Sequence, residues 1–455
     1  MSEPLPNFFL ADLPPGDSLT PAIVTEACRT LKRNRERYLV ERNTASLVRM
    51  ISSVASNWLD PEYPFRKQAL AEGPAATGFS SKTLAQGLDT YFNSITTDRL
   101  TNLLEQELGH VDRMDQPSEN TIDREFDRAA IATGPELLAH ITGGVLPNPA
   151  FTGIILGLLA RSAQFVKCAS GTSFLPRLFA HSIYACEPKI AACLEIAEWR
   201  GGSTLLEDAL FAESDLVSAM GSDDTIAALQ KRVRGKFLGF GHRVSFAYLT
   251  RETISGFSLP KLLRRAAQDV AAWDQLGCLS PHVFYVETGG KVTPEQFAEK
   301  LAQELQALEP EQPRGRISTN DSAAIATRRS FYEVRASASA ETRMWTSPGS
   351  TAWTVIFEAD PTFAPSCLHR FIYVKSAPNL TTVLRAADRV HRRVSTVGLS
   401  APEDRAAGMV KELARWGVTR VCAVGDMQNP PITWRHDGRP ALGDLVTWTD
   451  WENGG

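Results

Sequence analysis

Basic charge is in short supply along this chain: 48 Lys and Arg stand against 52 Asp and Glu in 455 residues, giving a formal net charge of −4 and a pI near 6.1. A nucleic-acid binder needs a net cationic face to displace phosphate counterions, so that class of partner is excluded. Cysteine is sparse as well. The seven residues, at 28, 168, 186, 193, 278, 367 and 422, are odd in number and contain no CxxC pair. This excludes a disulfide framework and a zinc site, and a reducing compartment is expected. No long hydrophobic run exists: the longest, residues 151–160, has about half the ~20 residues needed to span a bilayer and is closed by Arg161, so it reads as a buried helix. The opening Met1-Ser2-Glu3-Pro4-Leu5-Pro6 has no basic segment leading into an apolar core, which makes the cytoplasm the expected location. Familiar catalytic phrases are missing too. There is no GxSxG elbow and no histidine pair at metal-ligand spacing. Gly289-Gly290-Lys291 is followed by Val292 and lacks the earlier glycine of a Walker A loop, and Gly239-Phe240-Gly241 lacks the third glycine of a dinucleotide fingerprint.

With 43% hydrophobic and 22% charged residues the chain is long enough for two or three domains, each with its own core. The first 125 residues read as mainly helical, with helices over 21–37, 44–58 and 97–108 and a loop over 72–81 rich in Gly, Ala and Ser. From residue 137 the texture changes to short apolar strands alternating with helices: strand 137–145, helix 150–162, strand 164–167, helix 172–184, strand 215–220, helix 223–232, strand 244–249. That alternation predicts a largely parallel sheet covered by helices on both faces. Helix 258–274 leads into a turn and a strand at 283–287. Further helices at 293–308, 381–392 and 404–416 are interleaved with strands at 353–358, 371–375 and 419–424. Pro310, Pro313 and Gly315 mark 309–317 as a surface linker. The expected division is a helical region over 1–125, a Rossmann-like cofactor domain over 126–250, a catalytic domain over 251–425 and a C-terminal segment over 426–455, packing on the cofactor domain or on an oligomer partner.

Among the cysteines, Cys278 stands apart. It falls in Trp273-Asp274-Gln275-Leu276-Gly277-Cys278-Leu279-Ser280-Pro281-His282, between a helix and the strand-like run Val283 to Glu287. Most free cysteines are small buried hydrophobes. Here Gly277 lets the backbone pass close to a bound group, and a tight turn exposes amide N–H groups able to hold an oxyanion. The setting suits a covalent catalyst on acyl thioesters, although the preceding helix offers its C-terminal end and does nothing to lower the thiol pKa.

Residues 130–450 resemble bacterial acyl-CoA reductases of the LuxC type, a branch of the aldehyde dehydrogenase superfamily. Three phrases carry the resemblance. Asp274-Gln275-Leu276-Gly277-Cys278-Leu279-Ser280-Pro281 is similar to the family's nucleophile motif, Thr142-Gly143-Gly144-Val145-Leu146-Pro147 followed by Phe165-Val166-Lys167 to the entry into the cofactor domain, and Ser218-Ala219-Met220-Gly221-Ser222 to the strand end that meets the nicotinamide nucleotide. Cys278 follows Gly221 by 57 residues (278 − 221), close to the superfamily spacing. The resemblance implies an α/β, aldehyde-dehydrogenase-like fold with a Rossmann-type cofactor domain and an α/β catalytic domain. It implies Cys278 as nucleophile, and Gly144, Pro147, Lys167, Ser170, Gly221 and Ser222 as the cofactor-binding set. Ser222 has an ordinary reading beside this one, as a helix N-cap, and the two are compatible. Lys167 would sit beside the adenosine ribose. Ser170 stands where NAD-preferring relatives carry a carboxylate, which favours NADPH, with Lys167 as counter-charge.

Three departures from the superfamily bear on the reaction. No Asp or Glu occurs between Asp224 and Glu252, so the base that activates water on the thioacyl enzyme is missing, and reduction of a thioester fits better than oxidation of an aldehyde. His242, in Gly239-Phe240-Gly241-His242-Arg243-Val244, is a candidate proton donor; a histidine satisfied by backbone or solvent is the competing reading. At Pro365-Ser366-Cys367-Leu368-His369-Arg370-Phe371 the glutamate that grips the nicotinamide ribose is missing. Gly144, 23 residues before Lys167 (167 − 144), takes the place of an asparagine that donates to the oxyanion. The expected activity is NADPH-dependent reduction of a fatty acyl-CoA or acyl-protein thioester to a fatty aldehyde through an acyl-Cys278. The alternatives are a CoA-acylating aldehyde dehydrogenase using NAD(H), an acyltransferase that keeps the acyl-cysteine step without reduction, and a non-catalytic scaffold. By resemblance an acyl-protein synthetase is the implied partner, and a homo-oligomer is expected.

Overall fold

The computed structural model describes residues 5–14, 18–256 and 258–452. The N-terminal reading rests partly on Met1 to Pro4, outside the described residues. The chain divides into two compact units, Met1–Thr77 with Leu88–Gly241 and Pro431–Gly455, and Gly78–Gly87 with His242–Pro430.

In the first unit the strands are β1 (Arg128–Thr133), β2 (Leu137–Ile141), β3 (Ala163–Cys168), β4 (Leu194–Glu198), β5 (Leu216–Met220) and β6 (Lys236–Phe240). Strands β2 to β6 form an all-parallel sheet in the order β4-β3-β2-β5-β6. The chain starts at the centre with β2, winds outward to β4, then returns to lay β5 against the other side of β2. This doubly wound order creates a switch point between β2 and β5, where the connecting loops part and leave a crevice. Both faces are covered, which is why β2 and β3 are buried along their whole length rather than alternating. Val24, Cys28 and Leu31 of helix Pro21–Tyr38 pack on Leu137, Ala139, Phe165 and Val217. Elsewhere in the unit, helix Asn148–Leu159 and helix Phe174–Cys186 join Trp58 and Phe92 in a ring cluster through Phe151 and Phe179. The Trp58 indole N–H donates to Ser182 Oγ at 2.9 Å. β1 pairs antiparallel with the C-terminal strand Thr447–Glu452.

In the second unit the strands are β7 (Val244–Leu249), β8 (Pro281–Glu287), β9 (Thr342–Thr346), β10 (Thr354–Glu358), β11 (Phe371–Ala377), β12 (Val394–Ser400) and β13 (Arg420–Ala423). They form one sheet in the order β13-β12-β7-β8-β11-β10-β9, parallel except for β9. Helices Leu259–Ala271 and Pro294–Leu308 bury Leu263, Val270, Phe297 and Leu301 in one core cluster; helices Thr319–Ala338, Leu380–Ala386 and Glu403–Arg415 contribute Tyr332, Val383 and Leu413 to a second. No helix among the described residues is long and apolar enough to cross a membrane.

Four sequence expectations need correction. The strand read over 137–145 ends at Ile141, and the helix read over 258–274 ends at Ala271. The loop read over 72–81 is helical as far as Thr77, because helix Pro64–Thr77 buries Ala69 and Gly73 and carries Pro74 within it; packing overrides the Gly and Pro signals. The helix read over 381–392 ends at Ala386, and a 3-10 turn, Asp388–Val390, follows. The stretch 309–317 links helix Pro294–Leu308 to helix Thr319–Ala338 as read, and is mostly exposed or half-buried. Gln312 is buried, and Arg316 N–H donates to Gly78 O at 2.7 Å.

Candidate active site

Helix Leu259–Ala271 stops one residue short of a backbone of unusual shape. Trp273, Asp274 and Gln275 all adopt left-handed conformations, with φ of 48°, 51° and 65°. Such a conformation costs a non-glycine residue about 1–2 kcal/mol, so three in a row persist only if the surroundings force them. Those surroundings are visible. Arg370, 1% exposed, sends Nε and Nη2 to Asp274 Oδ1 at 3.0 and 2.7 Å, and its Nη1 to Glu309 Oε2 at 3.0 Å and Gln312 O at 2.8 Å. Gly315 N–H donates to the other Asp274 oxygen at 3.0 Å. The Gln275 amide N–H bridges the carbonyls of Pro281 (2.8 Å) and Phe371 (3.0 Å). Arg370 itself closes a second left-handed triplet, Leu368-His369-Arg370, at φ of 62°, 54° and 65°. The Trp273 indole is wedged beside Phe79 and Gly87, where a β-carbon on Gly87 would lie 2.2 Å from its ring.

Directly after this clamp comes the turn Gly277-Cys278-Leu279, with Ser280 N–H donating to Gly277 O at 3.0 Å. Cys278 is exposed and makes no disulfide, while its neighbours Leu279 and Ser280 are buried. Two side chains fix its backbone from outside. Ser245 Oγ, at the start of β7, donates to Cys278 O at 2.8 Å and accepts Thr396 N–H at 3.2 Å. Gln428 donates its amide to Ser280 Oγ and lies flat on Gly277, where a β-carbon would come within 2.6 Å of Gln428 Oε1. Any larger residue at 277 would push Gln428 off the turn. Gln428 in turn rides on a loop whose Gly425 and Met427 N–H groups both donate to the buried carboxylate of Asp269.

His242 is exposed and lies just before β7. It sits close enough to His282, on β8, for its charge to act on that ring. Burial, reinforced by that charge, holds the His282 pKa down to about 4. The sequence-predicted pair Cys278 and His242 thus belongs to one unit and one end of adjacent strands. Ser245, His282, Gln428 and the Asp274–Arg370 pair were not singled out as site residues. Asp274 and His282 stood within the quoted phrase, but nothing local distinguished them.

The six residues expected at the cofactor all fall at the carboxyl ends of β2, β3 and β5 in the first unit. Thr142 N–H and hydroxyl both donate to Lys167 O, at 3.0 and 3.3 Å, tying the β2 exit to the β3 exit. A β-carbon on Gly143 would lie 2.6 Å from Met220 O, so this glycine is what lets the β2 and β5 exits close up at the switch point. Gly144 is left-handed (φ 77°) with open space where a side chain would go, and Pro147 begins helix Asn148–Leu159. Ser222 is the N-cap of helix Asp223–Gln230, its Oγ accepting Thr225 N–H at 3.2 Å. Lys167 is buried, with Nζ 5.9 Å from the centre of the Trp199 ring; burial lowers its pKa against the pull of Glu207 and Glu198. Ser170 is exposed. The carboxylate of Glu198, at the end of β4, accepts Gly171 N–H at 2.8 Å and Ser173 N–H at 3.2 Å, so it shapes the loop in which Ser170 stands. An open glycine at a doubly wound switch point, flanked by a lysine, fits a dinucleotide.

Three buried groups and the half-buried Glu195 predict how stability varies with pH. Burial raises Glu195 to about 8 and Asp269 to about 7, and lowers His140 and His282 to about 4. A raised carboxylate pKa means the folded state holds its proton more tightly, so each carboxylate loses stability as pH climbs from its unfolded value near 4 to its folded one. Each buried histidine gains stability as pH climbs from about 4 to 6.5. The slope is about 1.4 kcal/mol per pH unit for each group. The two pairs oppose each other up to pH 6.5, and above it the carboxylates act alone. Thermal melts are therefore expected to show Tm falling from pH 6.5 to 8; a flat or rising Tm would mean that Glu195 and Asp269 are already ionised.

Parallel sheets of this order and pairing, one doubly wound and one carrying an exposed cysteine turn, define an aldehyde-dehydrogenase-like fold. The chain belongs to the acyl-CoA reductase (LuxC) family, whose model matches residues 39–448. It is therefore an oxidoreductase working at the aldehyde level. Among solved structures it is similar to the putative aldehyde dehydrogenase PutA from Anabaena variabilis (15% identity, TM-score 0.67, covering 97% of this chain and 95% of that one). It is also similar to an NAD-dependent benzaldehyde dehydrogenase from Corynebacterium glutamicum (14%, TM-score 0.66, 96% and 91%). A third is the glyceraldehyde-3-phosphate dehydrogenase GapN from Methanocaldococcus jannaschii, complexed with NADP (10%, TM-score 0.67, 96% and 95%). At these identities the likeness is one of fold. No curated protein matches the chain.

Proposed function

We propose that this protein reduces a fatty acyl thioester, carried by CoA or by a protein, to a fatty aldehyde with NADPH, through an acyl group held on Cys278. The observation that carries the reading is the Cys278 turn: an exposed thiol on a backbone clamped from three sides, with no carboxylate in residues 225–251 to activate water. Cys278 Sγ attacks the thioester carbonyl, a new C–S bond forms, and the carrier thiol leaves. Ser245 and Gln428 keep the turn from recoiling as the carbonyl carbon becomes tetrahedral. NADPH, when bound, supplies the hydride that reduces the thioacyl carbon. Collapse of the resulting thiohemiacetal oxyanion breaks the C–S bond, frees the aldehyde and returns the Cys278 thiolate; the one proton consumed goes to the departing carrier thiolate, with His242 as its proposed source.

For the cofactor, Lys167 and Ser170 are the residues proposed to meet the adenosine ribose and its 2′-phosphate, and Gly144, Pro147, Gly221 and Ser222 to line the rest of the β2–β5 exit. Glu198 is engaged with the Gly171 and Ser173 amides, one on each oxygen, which holds it in place and leaves each oxygen a further lone pair. Its charge favours a second reading, NADH as cofactor, because a carboxylate near the ribose repels a 2′-phosphate. Lys167→Ala separates the two. Loss of one charge-assisted contact should raise KM for NADPH by about 10- to 100-fold while moving KM for NADH less than about threefold. Equal effects on both would place Lys167 away from the phosphate.

Anaerobic assays of NADPH and NADH oxidation against acyl-CoAs of graded length, with aldehyde quantified, test the whole reading. Acyl transfer to a second nucleophile without oxidation of either nucleotide would make the protein an acyltransferase instead. An acyl-protein synthetase as partner, and self-association, remain proposals of the same reading, to be tested by co-purification and by sedimentation.

A further inference from the structure

His282 occupies a break in the sheet. β7 and β8 pair as Ser245↔Pro281 and then as Phe246↔Val283, so His282 is the extra residue of a β-bulge at the very start of β8. β11 joins β8 only from Val283 onward. Bulges next to active sites re-aim a side chain. Ser245 is the residue that fixes this one in place: its backbone pairs with Pro281 while its hydroxyl holds the Cys278 carbonyl at 2.8 Å. Cys278 and His282 therefore bracket a single residue of β7.

The ring's protonation follows from its partners. Ser366 N–H donates to His282 Nδ1 at 3.0 Å, and an amide nitrogen cannot accept in return, so Nδ1 carries a lone pair and the proton of the neutral ring is on Nε2. Ser366 Oγ is also 3.0 Å from Nδ1, and it accepts Leu368 N–H at 3.1 Å, which leaves its own hydroxyl proton to point at the ring. Among the described residues every hydrogen bond of this ring falls on Nδ1. The ring is buried, 7% exposed. A neutral imidazole whose Nε2–H is committed as a donor polarises a carbonyl without giving up its proton.

We propose that the Nε2–H of His282 donates to the carbonyl oxygen of the acyl group on Cys278, supplying the oxyanion contact for which the chain has Gly144 in place of an asparagine. This rests on the thioester-reductase reading. Negative charge develops on that oxygen in both steps, as Sγ adds to the thioester and as the thioacyl carbon is reduced, and the same N–H serves each time. Burial keeps the ring neutral at pH 7.

The test compares two variants that divide the ring's two ends. His282→Asn keeps an acceptor near the Nδ1 position for Ser366 N–H and loses the donor; His282→Gln places an amide N–H where Nε2–H was. Release of CoA from acyl-CoA in a single turnover reads acylation of Cys278. His282→Asn is expected to slow it by about 10²–10³-fold and His282→Gln by less than about tenfold. The proposal is overturned if His282→Asn acylates within threefold of the parent, or if both variants are folded and equally slow, which would leave the ring as a cap on Ser366 only. An infrared measurement on the parent acyl-enzyme stands apart from any folding defect: its carbonyl stretch should lie below that of the same thioester in water, and an unshifted band would overturn the donor. If the parent releases no thiol from acyl-CoA or from an acyl-protein donor, the thioester reading fails and not the assignment of the proton.

Discussion

Cys278→Ala is expected to yield a folded protein that takes no label from radiolabelled acyl-CoA and reduces it at least 10⁴-fold more slowly, the scale on which loss of a covalent nucleophile acts in other enzymes. The side chain is exposed, so its removal empties no core, and the melting temperature should stay within a degree or two. No other thiol is placed to take over. Burial pushes Cys28, Cys168, Cys193 and Cys422 up to about 12, and raises Cys186 and Cys367 as well. A thiol that far above neutrality contributes almost no thiolate, and the thiolate is the nucleophile. Label that persisted in Cys278→Ala would move the chemistry to another residue type altogether.

The second large effect is on stability. Arg370→Ala removes the partner of a buried carboxylate and two further contacts, to Glu309 and to the Gln312 carbonyl. Leaving Asp274 charged and unpaired should cost about 3–5 kcal/mol in urea or thermal unfolding. Lysine is expected to rescue little, because one ammonium cannot reproduce the fork that reaches Asp274, Glu309 and Gln312 together. The paired change Asp274→Asn with Arg370→Met removes both charges, and should recover a substantial part of the loss while leaving turnover low, since the left-handed triplets lose what holds them. A double variant as active as the parent would show that the Cys278 turn needs no clamp.

Strands β2, β3, β5, β7, β8 and β11 were legible because each carries a short, mostly apolar run that is largely buried. β12 and β4 were not. Ser395, Thr396 and Gly398 break the apolar run of Val394–Ser400, yet residues 394–398 are buried; Thr396 N–H donates across the sheet to Ser245 Oγ, and Thr396 Oγ1 accepts from Arg420 Nη1 at 3.4 Å. Leu194–Glu198 carries two glutamates, and one of them, Glu195, is half-buried and accepts the backbone N–H groups of Leu10 and Ile196. The exits of β2, β3 and β5 were readable as three phrases, since each strand exit is local in sequence; their service to a cofactor is a proposal. The supports of Cys278 were not. Ser245 lies 33 residues from its carbonyl, Ser366 lies 84 from His282, and Gln428 lies 148 from Ser280. Only folding brings such partners together, and no periodicity announces them.

The Asp274 carboxylate joins three stretches of chain: its own, Gly315 at 41 residues' remove and Arg370 at 96. A peptide spanning helix Leu259–Ala271 and β8 would hold the whole Cys278 phrase and none of these partners, and its left-handed backbone would relax to an ordinary one. The motif is therefore not a portable part. Grafted into another scaffold it would bring the cysteine without the turn that holds it, since that turn is built by the second unit as a whole.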